Sequence, residues 1–206
     1  MRGRACALLA TMLLCSCSTA ADHVATPTPA DAALFIPDSA HLLSEVAADF
    51  DTDGKLEYAI LAGFGGAPQQ LGYDWLQLFV VEPDCGPDCA IAFQSEALAG
   101  DRAEALSLLD INADGHMEVL SLQAMGASGE TLYVLAWQDQ TFAFWQPQGG
   151  QFDGLDRFGD NGVRTKDLDG DGTLEILAHY GPAASQFDVY RWDVSTYVYV
   201  ETRLEQ

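Results

Sequence analysis

Three copies of one acidic segment recur along the chain and set the strongest limit on its fold. The copies begin at Asp49, Asp110 and Asp167, which gives a period of about sixty residues. In each copy, aspartate or asparagine occupies positions 1, 3 and 5, glycine occupies position 6 and glutamate occupies position 9. A regular period of this size is typical of a domain built from stacked or radially arranged repeats.

The residue types in these segments are those that bind hard cations. Calcium takes six to eight oxygen ligands at about 2.4 Å, and alternating carboxylates with a sharp glycine turn supply several of them. Without a cation, the clustered carboxylates would repel one another by about 3–4 kcal/mol per close pair at an effective dielectric constant near 20. Because the ligands are protein oxygens in a flexible loop, the pattern favours calcium over magnesium, with up to three ions.

The segments differ from EF-hand loops at the position that matters most. An EF-hand carries a bidentate glutamate at position 12, whereas position 12 here is Ile60, Ser121 or Ala178. Short apolar runs follow the loops where an EF-hand would have a helix, and they predict buried strands. These runs cover residues 57–61, 118–122 and 175–179.

Each apolar run is followed by two segments rich in aromatic and β-branched residues, which are typical of strands. The segment pairs are 75–81 with 90–94, 131–137 with 141–145, and 187–192 with 196–202. With the strand that enters each loop, every repeat has four antiparallel strands. The sequence therefore predicts an all-β domain over residues 45–206, with repeats of about 45–100, 101–150 and 151–206.

This arrangement resembles the FG-GAP/VCBS repeat of integrin-α-type β-propellers. Phe158-Gly159 before the third loop and Gly66-Ala67-Pro68 after the first loop's strand add to the likeness, which covers residues 45–203. The resemblance implies a partial or irregular β-propeller with a calcium loop in each blade-like repeat. By this resemblance the ligands are Asp49, Asp51, Asp53, Lys55 (carbonyl) and Glu57; Asp110, Asn112, Asp114, His116 (carbonyl) and Glu118; and Asp167, Asp169, Asp171, Thr173 (carbonyl) and Glu175.

Two features depart from that family's usual pattern. The family usually has aspartate at position 9, so the glutamate here reaches the ion either directly or through water. Propellers also close with four to eight blades, and this chain has three. The sequence allows three arrangements. The blades form an open wedge, or the N-terminal segment adds extra strands, or a second chain completes the ring in a homo-oligomer. An unclosed ring leaves sheet edges, so we expect the edge near Thr196 to Arg203 to pair with another segment or to bind a partner.

The N-terminal residues predict export. An apolar run over residues 5–14 follows two arginines and is too short to span a bilayer, as in a signal peptide. Residues 14–17 resemble a bacterial lipobox, which makes Cys17 the lipidation site. We expect a signal peptide over 1–16 and a flexible proline-containing tether over 17–44.

The alternative for the same segment is an ordinary secretory signal cleaved at Ala20 or Ala21. Both alternatives place the protein outside the cytoplasm. The lipobox also predicts anchoring to the cell membrane or outer membrane, in the periplasm or at the cell surface.

Two cysteines remain in the predicted mature domain. Cys85 and Cys89 are separated by Gly-Pro-Asp, and a tight turn of this kind brings two Cα atoms within bridging distance. In an oxidising compartment we expect them to form a disulfide. The competing interpretation, half of a zinc site, lacks a second cysteine or histidine pair with suitable spacing.

Charge and the histidine inventory limit the function. The chain has 9 Lys and Arg against 31 Asp and Glu, for a net charge of −22, which argues against nucleic acid as a partner. Its four histidines include one in a predicted strand, His179, and no serine or cysteine motif accompanies it, so we expect no catalytic residues. The four tryptophans lie in predicted strands, where we expect them to pack in the core.

The expected function is a non-enzymatic, calcium-binding lipoprotein that binds a protein or glycan partner. The alternative is a periplasmic inhibitor or immunity protein. An acidic surface attracts a cationic, lysozyme-like cell-wall hydrolase by long-range electrostatics. A hydrolase built on the repeats is a third hypothesis.

Overall fold

The computed structural model describes residues 35–66, 72–82, 91–180 and 185–204. Within these ranges the chain forms thirteen β-strands and no α-helix, so they hold no helix that could cross a membrane. The strands assemble into three antiparallel sheets that follow one another along the sequence, one for each repeat. The predicted all-β class is confirmed. The predicted signal peptide, Cys17, Cys85 and Cys89 lie outside the described residues.

The first sheet has the strand order β1-β2-β3-β4. Its strands are β1 (Ala40–Ala48), β2 (Glu57–Phe64), β3 (Trp75–Val81) and β4 (Ile91–Gln94). Every residue of β2 is buried, as the apolar run after Glu57 predicts. The first strand begins at Ala40, and Phe35 and Ile36 pack against a hydrophobic cluster of this sheet. The folded part therefore begins before the expected boundary at residue 45, because apolar residues at the end of the predicted tether are used in packing.

The second sheet departs from a simple four-stranded plan. It contains β5 (Arg102–Ala103), β6 (Ser107–Leu109), β7 (Glu118–Met125), β8 (Gly129–Gln138) and β9 (Thr141–Phe144). Both β5 and β6 pair with β7, so they share the place of a single entering strand. Between them the buried Leu106 turns its N–H toward Ser44 Oγ of β1, at 2.9 Å, which ties the first two sheets together.

The third sheet has the strand order β10-β11-β12-β13. Its strands are β10 (Val163–Lys166), β11 (Glu175–Tyr180), β12 (Gln186–Asp193) and β13 (Thr196–Leu204). The segment after β9 pairs with the outer edge of β13, where Gln148 exchanges backbone hydrogen bonds of 2.9 and 2.8 Å with Tyr197 and Tyr199. The expectation that this edge pairs with another segment is confirmed for its first half, whereas residues 200–204 are exposed.

Two hydrophobic clusters join neighbouring sheets. One fills the space between the first and second sheets, and the other fills the space between the second and third. Phe158 of the Phe-Gly pair lies fully buried in the latter cluster, and its backbone exchanges two 2.9 Å hydrogen bonds with Leu132 of β8. The signature residue of the resemblance therefore joins one repeat to the next.

The tryptophans pack against other aromatic rings, as predicted. Trp75 stacks on Phe64 with ring centroids 3.8 Å apart, and Trp137 packs against Phe142 at 4.8 Å. Trp145 and Trp192 lie 4.5 Å apart in the cluster between the second and third sheets. Among the described residues, no hydrophobic cluster joins the third sheet to the first, so these residues form a row of three sheets and not a closed ring.

Candidate metal centres

Each acidic loop connects the strand that enters a sheet to the buried strand that follows it. The glycine at position 6 has nearly the same backbone conformation in all three loops, with φ of +88° at Gly54, +91° at Gly115 and +94° at Gly172. Position 4 also has positive φ, with 60° at Thr52 and 59° at Ala113. Only glycine adopts the φ near +90° of position 6 without strain, which explains why glycine recurs at this position.

A common set of hydrogen bonds shapes the three loops. The aspartate at position 1 accepts the N–H of the position 6 glycine through Oδ2, at distances of 2.9–3.2 Å. The aspartate at position 5 accepts the N–H of position 7 through Oδ1, at 2.8–2.9 Å. These bonds hold the carboxylates on the inner side of the turn. The residues that share the pattern are Asp49, Asp110 and Asp167 at position 1, and Asp53, Asp114 and Asp171 at position 5.

The glutamate at position 9 has the same role in each loop. Its Oε2 accepts the N–H of the residue at position 2, at 2.7 Å in the first loop, 3.0 Å in the second and 2.7 Å in the third. The three residues, Glu57, Glu118 and Glu175, are buried, with only 2–4% of each residue exposed. One carboxylate oxygen therefore ties the beginning of the loop to its end, and the other oxygen, Oε1, is left for a further partner.

The first loop brings four carboxylates together. Oxygen atoms of Asp49, Asp51, Asp53 and Glu57 lie within 4.8 Å of one another. The Oδ1 atom of Asp49 is buried and has no hydrogen-bond partner. Burial, and after it the nearby aspartates, raise the pKa of Glu57 to about 7. A buried acceptor without a donor, among crowded anions, fits the oxygen ligands of a hard cation.

The second loop contains one amide in place of a carboxylate. Asn112 is 7% exposed, donates a 2.8 Å hydrogen bond from Nδ2 to Asp114 Oδ2, and accepts the Asp114 N–H through Oδ1 at 3.1 Å. Burial, and then Asp114 and Asp110, raise the pKa of Glu118 to about 8. The donor set is again oxygen-rich but carries one negative charge fewer.

The third loop contains a cation that the sequence analysis did not identify. Oxygen atoms of Asp167, Asp169 and Asp171 lie within 4.8 Å of one another. Arg191 of β12 places Nε 3.1 Å from Glu175 Oε1 and Nη1 3.3 Å from Asp169 Oδ2. The contact of Nε is an ion pair without the geometry of a hydrogen bond. The only sequence signal for this contact is hairpin register, because Arg191 lies across from Glu175 on the next strand.

The second and third loops are joined directly. The N–H of Leu174 donates to the Ile111 carbonyl at 2.8 Å, and the buried Tyr197 hydroxyl lies 2.8 Å from the Leu174 carbonyl and 3.1 Å from that of Ile111. Tyr197 therefore connects two neighbouring candidate centres through the backbone.

The fold and its loops define a class: an all-β repeat protein with blade-like sheets and an acidic turn in each repeat. Residues 100–178 match the sequence model of the FG-GAP-like repeat family. This segment contains the second and third loops and the strands around them, and it is similar to an FG-GAP-like repeat, as the resemblance predicted. No curated protein matches the chain.

FG-GAP repeats are generally non-enzymatic interaction modules. His179 of β11 is 4% exposed, and its ring lies 5.1 Å from that of Phe187. This is the environment of a packed histidine and not of an accessible general base.

Proposed function

We propose that the protein is a calcium-braced, non-enzymatic binding module that is exported and anchored by a lipid. The observation that carries the calcium assignment is the first loop, where the unpartnered Asp49 Oδ1 is buried among converging carboxylates. The recurrence of the same loop hydrogen bonds at the other two positions supports extending the assignment to three ions.

In each loop, the side chains at positions 1, 3 and 5 and the carbonyl at position 7 would hold the ion. Oε1 of the glutamate would complete the set, directly or through water, while Oε2 keeps its backbone hydrogen bond. A bound ion would neutralise the carboxylates and clamp the entering strand to the buried strand of the same sheet.

The stabilisation from calcium follows from mass action. Extracellular modules bind calcium with dissociation constants of about 10⁻⁴ to 10⁻³ M, so millimolar calcium adds about 0.4–1.4 kcal/mol per site. Ions in all three loops would add a few kcal/mol, which is a large fraction of the stability of an ordinary domain.

A groove between the outer strands of the second and third sheets supports a protein or glycan as the partner. It has a volume of about 500 Å³, and Gln138, Gln146 and Gln148 lie beside Asp139 and Asp153 along it. Amide and carboxylate groups of this kind bind hydroxyl and amide groups, and the lining contains no cation that would attract an anion.

The net charge of −22 favours a second candidate, in which the partner is a cationic, lysozyme-like cell-wall hydrolase and the protein is its inhibitor. Inhibition of lysozyme by the purified chain tests this candidate, and full lysozyme activity at a large molar excess of the chain would exclude it.

The proposed anchor is the lipid on Cys17. Metabolic labelling with a fatty acid should label the wild-type chain and should not label Cys17→Ala. Equal labelling of both would contradict the anchor but would leave the calcium assignment intact.

Capture of partners from an extract of the host envelope tests the interaction role. The full chain in calcium should retain partners that a chelator releases. A variant with Asp49→Asn, Asp110→Asn and Asp167→Asn should retain them poorly in either condition. Equal capture with calcium and with chelator would contradict a calcium-braced binding module.

A further inference from the structure

The residue that faces the position 9 glutamate differs in charge among the repeats. In each sheet, the residue after the glutamate pairs with a known partner on the next strand: Tyr58 with Val81, Val119 with Leu135, and Ile176 with Tyr190. Extending the same register by one residue places Glu82, Ala136 and Arg191 across from the three glutamates, and the contact between Arg191 and Glu175 agrees with this register. Directly opposed residues of an antiparallel pair share a face of the sheet, so these side chains influence the adjacent loop.

Only the third of these side chains brings a cation to the loop. Arg191 contacts Asp169 at position 3 and Glu175 at position 9, at 3.3 and 3.1 Å. The contact with Glu175 involves Oε1, because Oε2 of the same carboxylate already accepts the backbone hydrogen bond from Leu168. Arg191 therefore lies against two of the groups that would hold an ion, and it also lines a small cavity of about 90 Å³ with Asp171 and Thr173.

The first loop also has a nearby cation, but in a different place. Lys55 binds Asp53 Oδ2 at 2.9 Å, with side chains 56% and 40% exposed. This pair lies at the exposed rim of the loop. The charge of Lys55 therefore does not neutralise the buried Glu57 or Asp49 Oδ1. Arg191 instead contacts Glu175, whose side chain is only 5% exposed.

We propose that Arg191 is an internal counter-ion that competes with calcium for the third loop. The inference rests on the proposed calcium function. The guanidinium supplies a permanent positive charge to the carboxylates, and calcium must displace it before Glu175 and Asp169 can turn to the ion. Consequently the third loop keeps its shape without calcium and binds calcium at least tenfold more weakly than the first and second loops.

Calorimetric titration of the full chain in detergent with calcium chloride tests this proposal. Wild type should show two stronger sites and a third at least tenfold weaker. Arg191→Gln should strengthen that third site at least tenfold. The control is Arg203→Ala, which makes the same charge change at a side chain paired with Glu201 on the same strand, and it should leave every dissociation constant within twofold.

A second variant tests the same idea in the opposite direction. Glu82→Arg places a guanidinium across from Glu57 at an exposed position, as Arg191 lies across from Glu175, and it should weaken one of the two stronger sites at least tenfold. Thermal melting in chelator gives a readout independent of calcium binding: Arg191→Gln should melt below Arg203→Ala in chelator, and the gap should close in calcium.

Three equal sites in wild type would overturn the inference. So would a third-site dissociation constant that stays within twofold of wild type in Arg191→Gln. Loss of calcium binding by every variant and by wild type would overturn the proposed function itself, and the inference with it. If Arg191→Gln fails to fold, the Glu82→Arg titration tests the proposal instead, because an unweakened first site would contradict competition by a guanidinium.

Discussion

The first and third acidic loops share a backbone but differ in how their charge is balanced. Both have glycine at position 6 with φ near +90°, and both tie position 9 to position 2 by a 2.7 Å hydrogen bond. In the first loop, Asp49 Oδ1 is buried without a partner, and the pKa of Glu57 is raised to about 7, mainly by burial. In the third loop, Arg191 faces Glu175 and Asp169.

This difference shows that a repeated sequence motif determines the backbone conformation of a loop but does not determine whether its carboxylates require a metal ion for charge balance. Carboxylates that converge without a counter-charge repel one another and favour a bound cation. Carboxylates that face a guanidinium are already partly neutralised. The neighbouring strand, and not the loop itself, decides between these cases.

Removal of calcium should give the largest effect. A chelator should lower the melting temperature by several degrees, because about 1–3 kcal/mol of linkage energy is lost and each kcal/mol shifts a domain of this size by about 2–4 °C. Scanning calorimetry measures the shift. Asp49→Ala should reduce the calcium-dependent shift in melting temperature more than Asp167→Ala does. Equal reductions in the two variants would contradict the proposed difference between the first and third loops.

The pH dependence of the metal-free protein should be the next largest effect. An acid whose pKa is raised by folding stabilises the fold while it is protonated, and this contribution is lost as the pH rises through its folded-state pKa. For Glu57 and Glu118 those values are about 7 and about 8. Melting temperatures in excess chelator should therefore fall from about pH 5 to about pH 8 and level off above it, and saturating calcium should remove the fall. A rise over this range in chelator would contradict the account.

Charge removal at position 9 should have opposite signs in the two loops. In chelator at pH 9, Glu57→Gln relieves a buried, crowded carboxylate and should stabilise the protein by about 1 kcal/mol. Glu175→Gln removes the partner of the half-exposed Arg191 and should destabilise it by about 0.5–1 kcal/mol. Chemical unfolding measures both changes, and the amide oxygen of glutamine preserves the backbone hydrogen bond in each. Changes of the same sign would refute the proposed difference between the loops.

The smallest effect is expected at the rim of the first loop. Lys55 and Asp53 form an exposed pair, which solvent screens strongly. Lys55→Ala should melt within a degree of wild type in chelator. A drop as large as that of Arg191→Gln would show that the position of the cation in the loop does not matter.

Local sequence was sufficient for the parts of the fold that depend on local chemistry. The strands after the loops begin at Glu57, Glu118 and Glu175, where the apolar runs predicted them. The loop conformations follow from their glycines.

Features set by distant contacts were not predicted. The division of the entering strand into β5 and β6 depends on Leu106, which bonds to Ser44 of another sheet. The early start of β1 depends on packing against the face of the first sheet. The role of Arg191 required the register of a hairpin, which an apolar pattern alone does not reveal.

Metal analysis of the full chain after equilibrium dialysis tests the central claim most directly. Dialysis against about 1 mM calcium, near the dissociation constants of extracellular modules, should leave bound calcium in wild type. The Asp49→Asn, Asp110→Asn and Asp167→Asn triple variant should retain much less. Calcium no higher in the protein compartment than in the dialysis buffer would contradict the claim that these loops are calcium sites.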